Sequence, residues 1–159
     1  MIRRALTSGL LAAALSTMSW CAPRNSWNRI FYVGGTVPVK TGGYDWNTTL
    51  TVTRDSIVVS IDAATVFKPS QTLRIKPSQV ISIWYGAAAW PHVAEAPGAH
   101  LPSKPPSLFW LLPGSADYFW FGVIYEMPDG KRGAILLESA YVGPITSLLK
   151  EVTGKPIEK

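Results

Sequence analysis

Hydrophobic and polar residues alternate with a period of two along most of the chain after residue 27, as they do in half-buried β-strands. "RIFYVGGTVPV" predicts a first strand, and Gly34 and Gly35 within it predict a bulge or a bend. "TTLTVTRDSIVVSI" divides at Arg54 and Asp55 into two strands whose apolar residues share one face, which predicts a hairpin. "QTLRIKP" and "QVISIWYG", separated by Pro77, predict two further strands.

The most aromatic stretch, "PPSLFWLLPGSADYFWFG", runs from Pro105 to Gly122. Pro113 and Gly114 divide it into pieces of one strand's length, which excludes a membrane-spanning helix of about 20 residues. Aromatic residues occupy both odd and even positions of "YFWFGVIY", so we expect the core on one face of this strand and a helix or loop on the other. "MPDGKRG" predicts a tight turn, and "GAILLE" predicts the strand that returns from it.

The chain continues into a predicted amphipathic helix over about residues 140–153. Its apolar side chains are spaced three and four residues apart and form one stripe, consisting of Ile145, Leu148, Leu149 and Val152. Pro144 is typical of a first helical turn, and Gly154 of the left-handed residue that follows a last turn. The pattern leaves open whether the helix starts after Ser139 or after Gly143.

The segment from Gly86 to Ser107 differs from the predicted strands because it contains five prolines, both histidines and many alanines. This composition predicts a long loop. Loops of this length are uncommon in compact domains and are usually either functional or loosely ordered. Residues 87–113 are therefore the part of the chain that we expect to contact a ligand.

Length and composition favour one folded domain, which we place at residues 27–155. A chain of 159 residues is long enough to bury roughly 70% of its unfolded surface. Apolar residues make up 47% of the sequence and charged residues 16%, a balance typical of folded rather than disordered proteins. Cys21 is the one cysteine, which excludes an intrachain disulfide.

The first 22 residues predict a leader for export. Arg3 and Arg4 precede an apolar stretch and then small residues, the order found in signal peptides. We therefore expect the protein in the periplasm, the cell envelope or the extracellular space. Lipidation of Cys21 is an alternative, although Trp20 stands where such signals have a small residue; an uncleaved membrane anchor is a third possibility. Without the leader the net charge falls from +5 to about +3, too little and too scattered to indicate nucleic-acid binding.

About seven antiparallel strands in meander order followed by one helix resemble the pleckstrin-homology superfold, a bent barrel with one corner plugged by the helix. "YVGGTVP", "ISIWYG" and "LLKEVTGKPI" resemble segments of secreted or lipoprotein-type bacterial proteins of uncharacterised function that have a pleckstrin-homology-like (PH-like) domain. The resemblance implies a mainly β (α+β) fold, a PH-like bent antiparallel barrel with a C-terminal amphipathic helix. Phosphoinositide-binding members have a basic cluster between their first two strands, where this chain has Lys40 alone before Arg54, so the resemblance does not imply recognition of that headgroup.

No catalytic, cofactor or metal site is predicted from motifs. The sequence contains no nucleophile-elbow, zinc-protease, phosphate-loop or dinucleotide fingerprint. His92, Glu95 and His100 have the residue types of metal ligands, but a proline-rich loop does not fix their geometry, and we expect them to be exposed. The acidic residues at predicted strand ends and turns are expected to be solvated, namely Asp55, Asp62, Glu126 and Glu138.

Four apolar residues in the aromatic stretch are candidates for ligand or membrane contact, namely Phe109, Trp110, Leu111 and Leu112. Trp84 and Trp90, at the edges of the expected loop, could extend the same patch. Core packing is the alternative for these side chains, because a small barrel needs large fillers. The sequence thus favours a non-enzymatic binding module outside the cytoplasm whose partner is a membrane surface, an envelope protein or peptide, or a small apolar ligand. The alternative is a hydrolase or another enzyme whose site shows no motif.

Overall fold

The computed structural model describes residues 25–39, 46–62, 70–103 and 119–159. The predicted leader with Cys21, and the segment Phe109 to Leu112, lie outside these ranges. Eight strands are described: β1 Ser26–Gly35, β2 Thr48–Val52, β3 Ile57–Ile61, β4 Gln71–Ile75, β5 Val80–Tyr85, β6 Trp120–Glu126, β7 Arg132–Glu138 and β8 Ile157–Glu158. Two α-helices accompany them, α1 Ala89–Ala94 and α2 Val142–Thr153. The mainly β fold that the alternation predicts is confirmed.

The strands form one mixed sheet in the order β4-β3-β2-β1-β7-β6-β5-β8. All neighbours are antiparallel except β5 and β8, which are parallel. β1 changes partners along its length, since Ile30 pairs with Thr48 of β2 whereas Phe31 pairs with Glu138 of β7. A register shift on either side of this exchange bends β1, and the second one, between Tyr32 and Gly34, is the predicted glycine bulge.

The sheet is strongly curved but open. β4 and β5 are six strand positions apart, which would be about 29 Å in a flat sheet. Only residues 76–79 connect them, so Ile75 and Val80 lie within about 18 Å of each other. Within the described residues β4 pairs with β3 alone, while β5 pairs with β6 and β8. Within the described residues the sheet therefore does not close into the predicted bent barrel, because β8 takes the edge of β5 that closure would need.

One face of the sheet, here called the inner face, is covered by α2. The large side chains buried on it come from both halves of the sheet and include Ile30, Leu50, Val59, Ile83, Phe121 and Leu137. From α2, Ile145 and Leu149 are fully buried, and Leu148 and Val152 pack half-buried against the same cluster. The predicted stripe is thus confirmed. The helix begins at Val142, has Pro144 in its first turn and ends at Thr153, and Gly154 follows as its left-handed cap with φ 68°.

Two tyrosines of the inner face have their hydroxyls close to the bend in β1. The Tyr32 hydroxyl donates to the Val37 carbonyl oxygen at 3.0 Å, and the Tyr125 and Thr36 hydroxyls lie 3.5 Å apart. Burial raises the pKa of Tyr32 well above its usual value, and it raises the pKa of Tyr125 in the same direction. Both phenols therefore keep their protons to a higher pH than exposed tyrosines do.

The opposite, outer face is covered over β1, β7 and β6 by α1 and the residues after it. The side chains buried there form the outer cluster, consisting of Phe31, Val33, Ala89, Val93, Ala96, Trp120, Ala134 and Leu136. β6 therefore buries both faces, with Phe121 and Val123 inward and Trp120 outward, as its aromatic pattern predicts. A Cβ at Gly122 would lie 2.9 Å from Val93 Cγ2, so α1 rests directly on bare strand backbone.

The long loop predicted from Gly86 onward is wrong in its first half. Residues 86–94 form a 3-10 turn and α1, because Ala89 and Val93, four residues apart, face β6 and are fully buried there. After α1, the chain is tied to β1 through His100, whose backbone exchanges two hydrogen bonds with Gly35, at 2.8 and 3.1 Å. The segment up to residue 101 is thus part of the packed structure.

Candidate functional site

A groove of about 500 Å³ lies on the outer face, where α1 ends and leaves β5, β6 and β7 uncovered. We call it the outer-face groove. Its lining combines apolar and polar side chains, and consists of Ile81, Ser82, Trp84, His92, Glu95, Ala96, Pro97, Ile124 and Arg132. The volume falls within the roughly 300–1,000 Å³ that is common for small-ligand sites.

A bulge in β5 turns the side chains of this strand toward the groove. Val80 and Ile83 are both buried on the inner face although they are three positions apart, which requires one extra residue in the alternation. The register against β6 shifts between Val80 and Ser82, and this shift supplies the extra residue. As a result Ser82 and Trp84 face outward, and Ile81 has 40% of its surface exposed at the groove.

The β6–β7 hairpin forms the other side of the groove. Ile124 and Ala134 pair across the hairpin, and Arg132 shares the outward face of Ala134 by strand alternation. The turn between the strands has Gly130 at φ 78°, and the Asp129 carboxylate accepts a hydrogen bond from the Lys131 backbone at 3.1 Å. This confirms the predicted tight turn. Arg132 therefore stands at the start of a fixed strand, next to the half-buried Ile124.

The end of α1 supplies the wall above the sheet. The His92 ring stacks on the Trp84 indole with 3.4 Å between ring centroids and 16° between ring planes. One helical turn later, the Glu95 Oε2 atom lies 3.9 Å from His92 Nδ1. Pro97 and Gly98 then form a turn, closed by the hydrogen bond from Ala99 N to the Ala96 carbonyl oxygen at 3.0 Å. The stack connects helix to strand, so this wall is held in place from both sides.

The groove lining includes one positively charged side chain, Arg132, and one carboxylate, Glu95, while Glu126, opposite Arg132 in the β6–β7 ladder, lies outside the lining. Arg132 lies on the sheet side and Glu95 on the helix side, with its side chain 76% exposed. In the described parts of the chain no carboxylate lies within 4.0 Å of the Arg132 guanidinium, so neither charge neutralises the other directly. Both groups are available to a bound molecule.

Polar side chains of the groove form hydrogen bonds and ring contacts with one another. The Ser82 hydroxyl accepts a hydrogen bond from Trp84 Nε1 at 3.0 Å, and within the described residues it has no hydrogen bond with His92. A serine nucleophile needs a base within hydrogen-bonding reach. Here the His92 ring is stacked on an indole and reaches toward Glu95. Ser82, His92 and Glu95 have the residue types of a hydrolytic triad, but in the described part of this structure Ser82 bonds to Trp84 and His92 stacks on it, so no serine–histidine hydrogen bond is formed.

Of the predicted contact residues, Trp84 lies in the groove and Trp90 does not. The Trp90 ring packs on Trp120, with 5.2 Å between centroids and 45° between planes, beside the outer cluster. Phe109, Trp110, Leu111 and Leu112 lie outside the described residues, so their predicted role stays a prediction. The expected binding segment 87–113 is represented in the groove by His92 and the residues that follow α1.

The residues with metal-ligand types are divided between two places. His92 and Glu95 share the groove wall, while the His100 backbone pairs with Gly35. Across the described ranges, no three histidine, cysteine or acidic side chains are grouped as a metal site would need. His92 is also only half-exposed, whereas the sequence predicted an exposed loop residue.

The acidic residues at strand ends differ in their surroundings. Asp55, Asp62 and Glu126 are exposed, as expected. Glu138 is 4% exposed, and its Oε2 atom accepts a hydrogen bond from Trp120 Nε1 at 3.2 Å. The prediction of a solvated carboxylate is wrong for Glu138, because β1 and β6 flank β7 and the outer cluster covers the side chain.

Sequence reasoning missed most of the groove, in particular Ser82, Ile124 and Arg132. Each of these residues sits in an ordinary alternating strand, and nothing in its neighbours distinguishes it. A signal for the covering helix was present, since Ala89, Val93 and Ala96 are spaced four and three residues apart and a glycine interrupts the aromatic strand that they cover. That signal indicates a short helix packed on β6, but it does not identify the strand residues that line the groove.

No helix in the described ranges is long and apolar enough to cross a bilayer. The chain matches no protein-family model, and no curated protein is significantly similar to it in sequence.

Proposed function

We propose that the protein is a non-enzymatic binding module that acts outside the cytoplasm and holds its ligand in the outer-face groove. The observation that supports this function is the groove itself, in which an apolar floor is flanked by polar side chains from two rigid elements. Concave sites with this mixture are typical of ligand binding. The ligand is a membrane surface, a peptide or a small apolar molecule.

The positions of the lining residues support this proposal. His92, Glu95 and Pro97 belong to the segment that the sequence assigns to binding, and Trp84 is one of the assigned contact residues. Ile81 exposes 40% of its surface where the groove opens, which adds apolar area for a partner. Stacking on His92 and the hydrogen bond to Ser82 hold Trp84 in one orientation, so little side-chain entropy is lost when a ligand contacts it.

We also propose that the fold is a member of the PH-like group and that residues 1–22 direct export. The antiparallel meander that precedes α2, and the packing of α2 on the inner face, support the first part. The basic and apolar residues of the leader support the second part. A mass spectrum of the mature N-terminus would test export and would also show whether Cys21 carries a lipid.

The proposed function can be tested by NMR on the full chain, uniformly labelled with ¹⁵N so that the tryptophan indole and backbone amide signals can be followed. Titration with phospholipid vesicles, apolar tripeptides and small amphiphiles should shift the Trp84 indole signal and the amides of Ile124 and Arg132. Pro97→Trp should obstruct the groove and remove these shifts. Pro102→Trp is the matched control, since Pro102 is also exposed but does not line the groove.

Two results would contradict the proposal. Shifts confined to residues outside the groove would show that binding takes place elsewhere. Hydrolysis of a small ester by the wild-type chain that is lost in Ser82→Ala would show that the groove is catalytic, since that change removes the hydroxyl and leaves the apolar floor intact.

A further inference from the structure

We propose that the outer-face groove takes a zwitterionic amphiphile, a molecule with an ammonium group and a phosphate or carboxylate close together on a short apolar chain. This inference rests on the proposed binding function and names the chemical class of the ligand. The feature behind it is that Arg132, from the start of β7, and Glu95, from the end of α1, line the same groove as the apolar side chains of its floor.

Each of the two charges suits one half of a zwitterion. The planar guanidinium of Arg132 can donate two parallel hydrogen bonds to a phosphate or a carboxylate. The Glu95 carboxylate can accept hydrogen bonds from an ammonium group, and within the described residues the one side-chain nitrogen of a basic residue within 4.0 Å of it is His92 Nδ1, at 3.9 Å. Both side chains can therefore reach a ligand without first breaking an internal ion pair.

The balance of charge in the groove disfavours ligands with a single charge. An anion attracted by Arg132 is repelled by Glu95, and a cation attracted by Glu95 is repelled by Arg132. A molecule with both charges gains from both side chains. The groove thus discriminates by the combination of charges, which a purely basic patch cannot do.

The floor of the groove provides for the apolar part of the ligand. Ile124 is half-buried in the lining, and Ile81 and Trp84 extend the apolar surface along β5. An apolar chain of a few methylenes can lie there, and each buried CH₂ raises the affinity by about fourfold at most. A headgroup without such a chain would use only the two charges.

The test uses the full chain and probes that share one hexyl chain and differ in their headgroup. Hexylamine, hexyl phosphate and the zwitterion hexyl phosphoethanolamine are titrated while the Trp84 indole signal is followed. 2-Aminooctanoic acid, which has the same hexyl chain, is added as an ammonium–carboxylate zwitterion. We expect both zwitterions to bind at least about twofold more tightly than hexylamine or hexyl phosphate, because exposed ion pairs contribute at this level. If the phosphoethanolamine binds more tightly than the amino acid, the source of the ligand is a lipid headgroup, and the reverse order indicates an amino acid.

Variants in which one charge is neutralised distinguish a site for zwitterions from a general apolar site. Glu95→Gln should weaken zwitterion binding about two- to fivefold and strengthen hexyl phosphate binding, and Arg132→Gln should do the same in favour of hexylamine. Glu151→Gln and Lys150→Gln are matched controls on the exposed side of α2. Equal affinities for all probes, or variants with the same preference as the wild type, would overturn the inference about the ligand class. The proposed binding function would still stand if the probes shifted the Trp84 signal. If neither these probes nor the vesicles, tripeptides and amphiphiles shift the signals of the groove residues, the inference about the ligand class and the proposed binding function are both wrong.

Discussion

Gly122 allows α1 to approach β6 closely enough to form one wall of the groove. A Cβ at this position would lie 2.9 Å from Val93 Cγ2 and 3.4 Å from the Ala89 Cβ, and both of those residues are fully buried. Neither neighbour can move aside without lifting the helix. The position of the groove wall therefore depends on the absence of a side chain in the middle of β6.

We expect Gly122→Val to destabilise the fold by about 1–3 kcal/mol, the usual cost of overpacking, and to displace α1 from the sheet. Thermal unfolding measures the first effect, and the Trp84 indole signal, which depends on the stack with His92, measures the second. Gly143→Ala is the control, because a Cβ there meets nothing within 4 Å. A melting temperature for Gly122→Val equal to that of the wild type would show that α1 does not rest on β6.

The buried tyrosines predict a loss of stability in strong alkali. The pKa of Tyr32 and that of Tyr125 are raised in the folded state, so above about pH 10 the unfolded chain loses protons that the folded chain keeps. Their contribution is complete below pH 10 and is lost as pH rises toward the folded pKa values, with a slope of about 1.4 kcal/mol per pH unit for each tyrosine. Denaturant unfolding between pH 9 and 11.5 should show this fall. A double Tyr32→Phe, Tyr125→Phe variant should show a shallower one, and an unchanged slope would contradict the assignment.

α2 packs on the inner face through a stripe of apolar residues that are buried to different extents. Leu149 is fully buried, whereas Leu148 is half-buried at the side of the stripe. Leu149→Asp should therefore cost more than about 3 kcal/mol, since it leaves an unpaired charge in the core, and Leu148→Asp should cost less. Circular dichroism during thermal unfolding would rank the two. Ser147→Asp, on the exposed side of the helix, should leave the melting curve nearly unchanged.

The elements that could be predicted from sequence are those in which local pattern and tertiary contact agree. In β2 and β3, every second residue is buried over the whole hairpin, and in α2 the stripe, the early proline and the final glycine all coincide. α1 was missed because its six residues are too few to be helical alone, have no side-chain cap and include Pro91. It forms because β6 offers an apolar surface. β8, with two residues, has no pattern to read.

At the scale of the whole molecule, the groove could not be predicted because it is assembled from residues that are distant in sequence. Ser82, Glu95 and Arg132 come from three different elements. Their proximity depends on the bulge in β5 and on where α1 ends. Neither is determined by alternation, which says only that a residue faces in or out.

β8 covers the outer edge of β5, and we expect its removal to promote association between chains. Deletion of residues 156–159 should expose the outer edge of β5 to pairing with other chains, since an unpaired strand edge is a site of association. Light scattering after gel filtration should then detect dimers or larger species. Ile157→Ala, which retains the backbone pairing, should remain in the state of the wild type. A deletion variant that behaves as the wild type does would show that β8 has no protective role.

The exchange of partners by β1 makes the two halves of the sheet interdependent. A chain severed between β3 and β4 would give one fragment in which the second part of β1 lacks β7, and another in which β7 lacks β1. Neither fragment has a complete sheet, and each offers the strand edge that the other needs. The protein is thus suited to fragment complementation, in which two fragments with incomplete sheets regain the fold only when they are brought together.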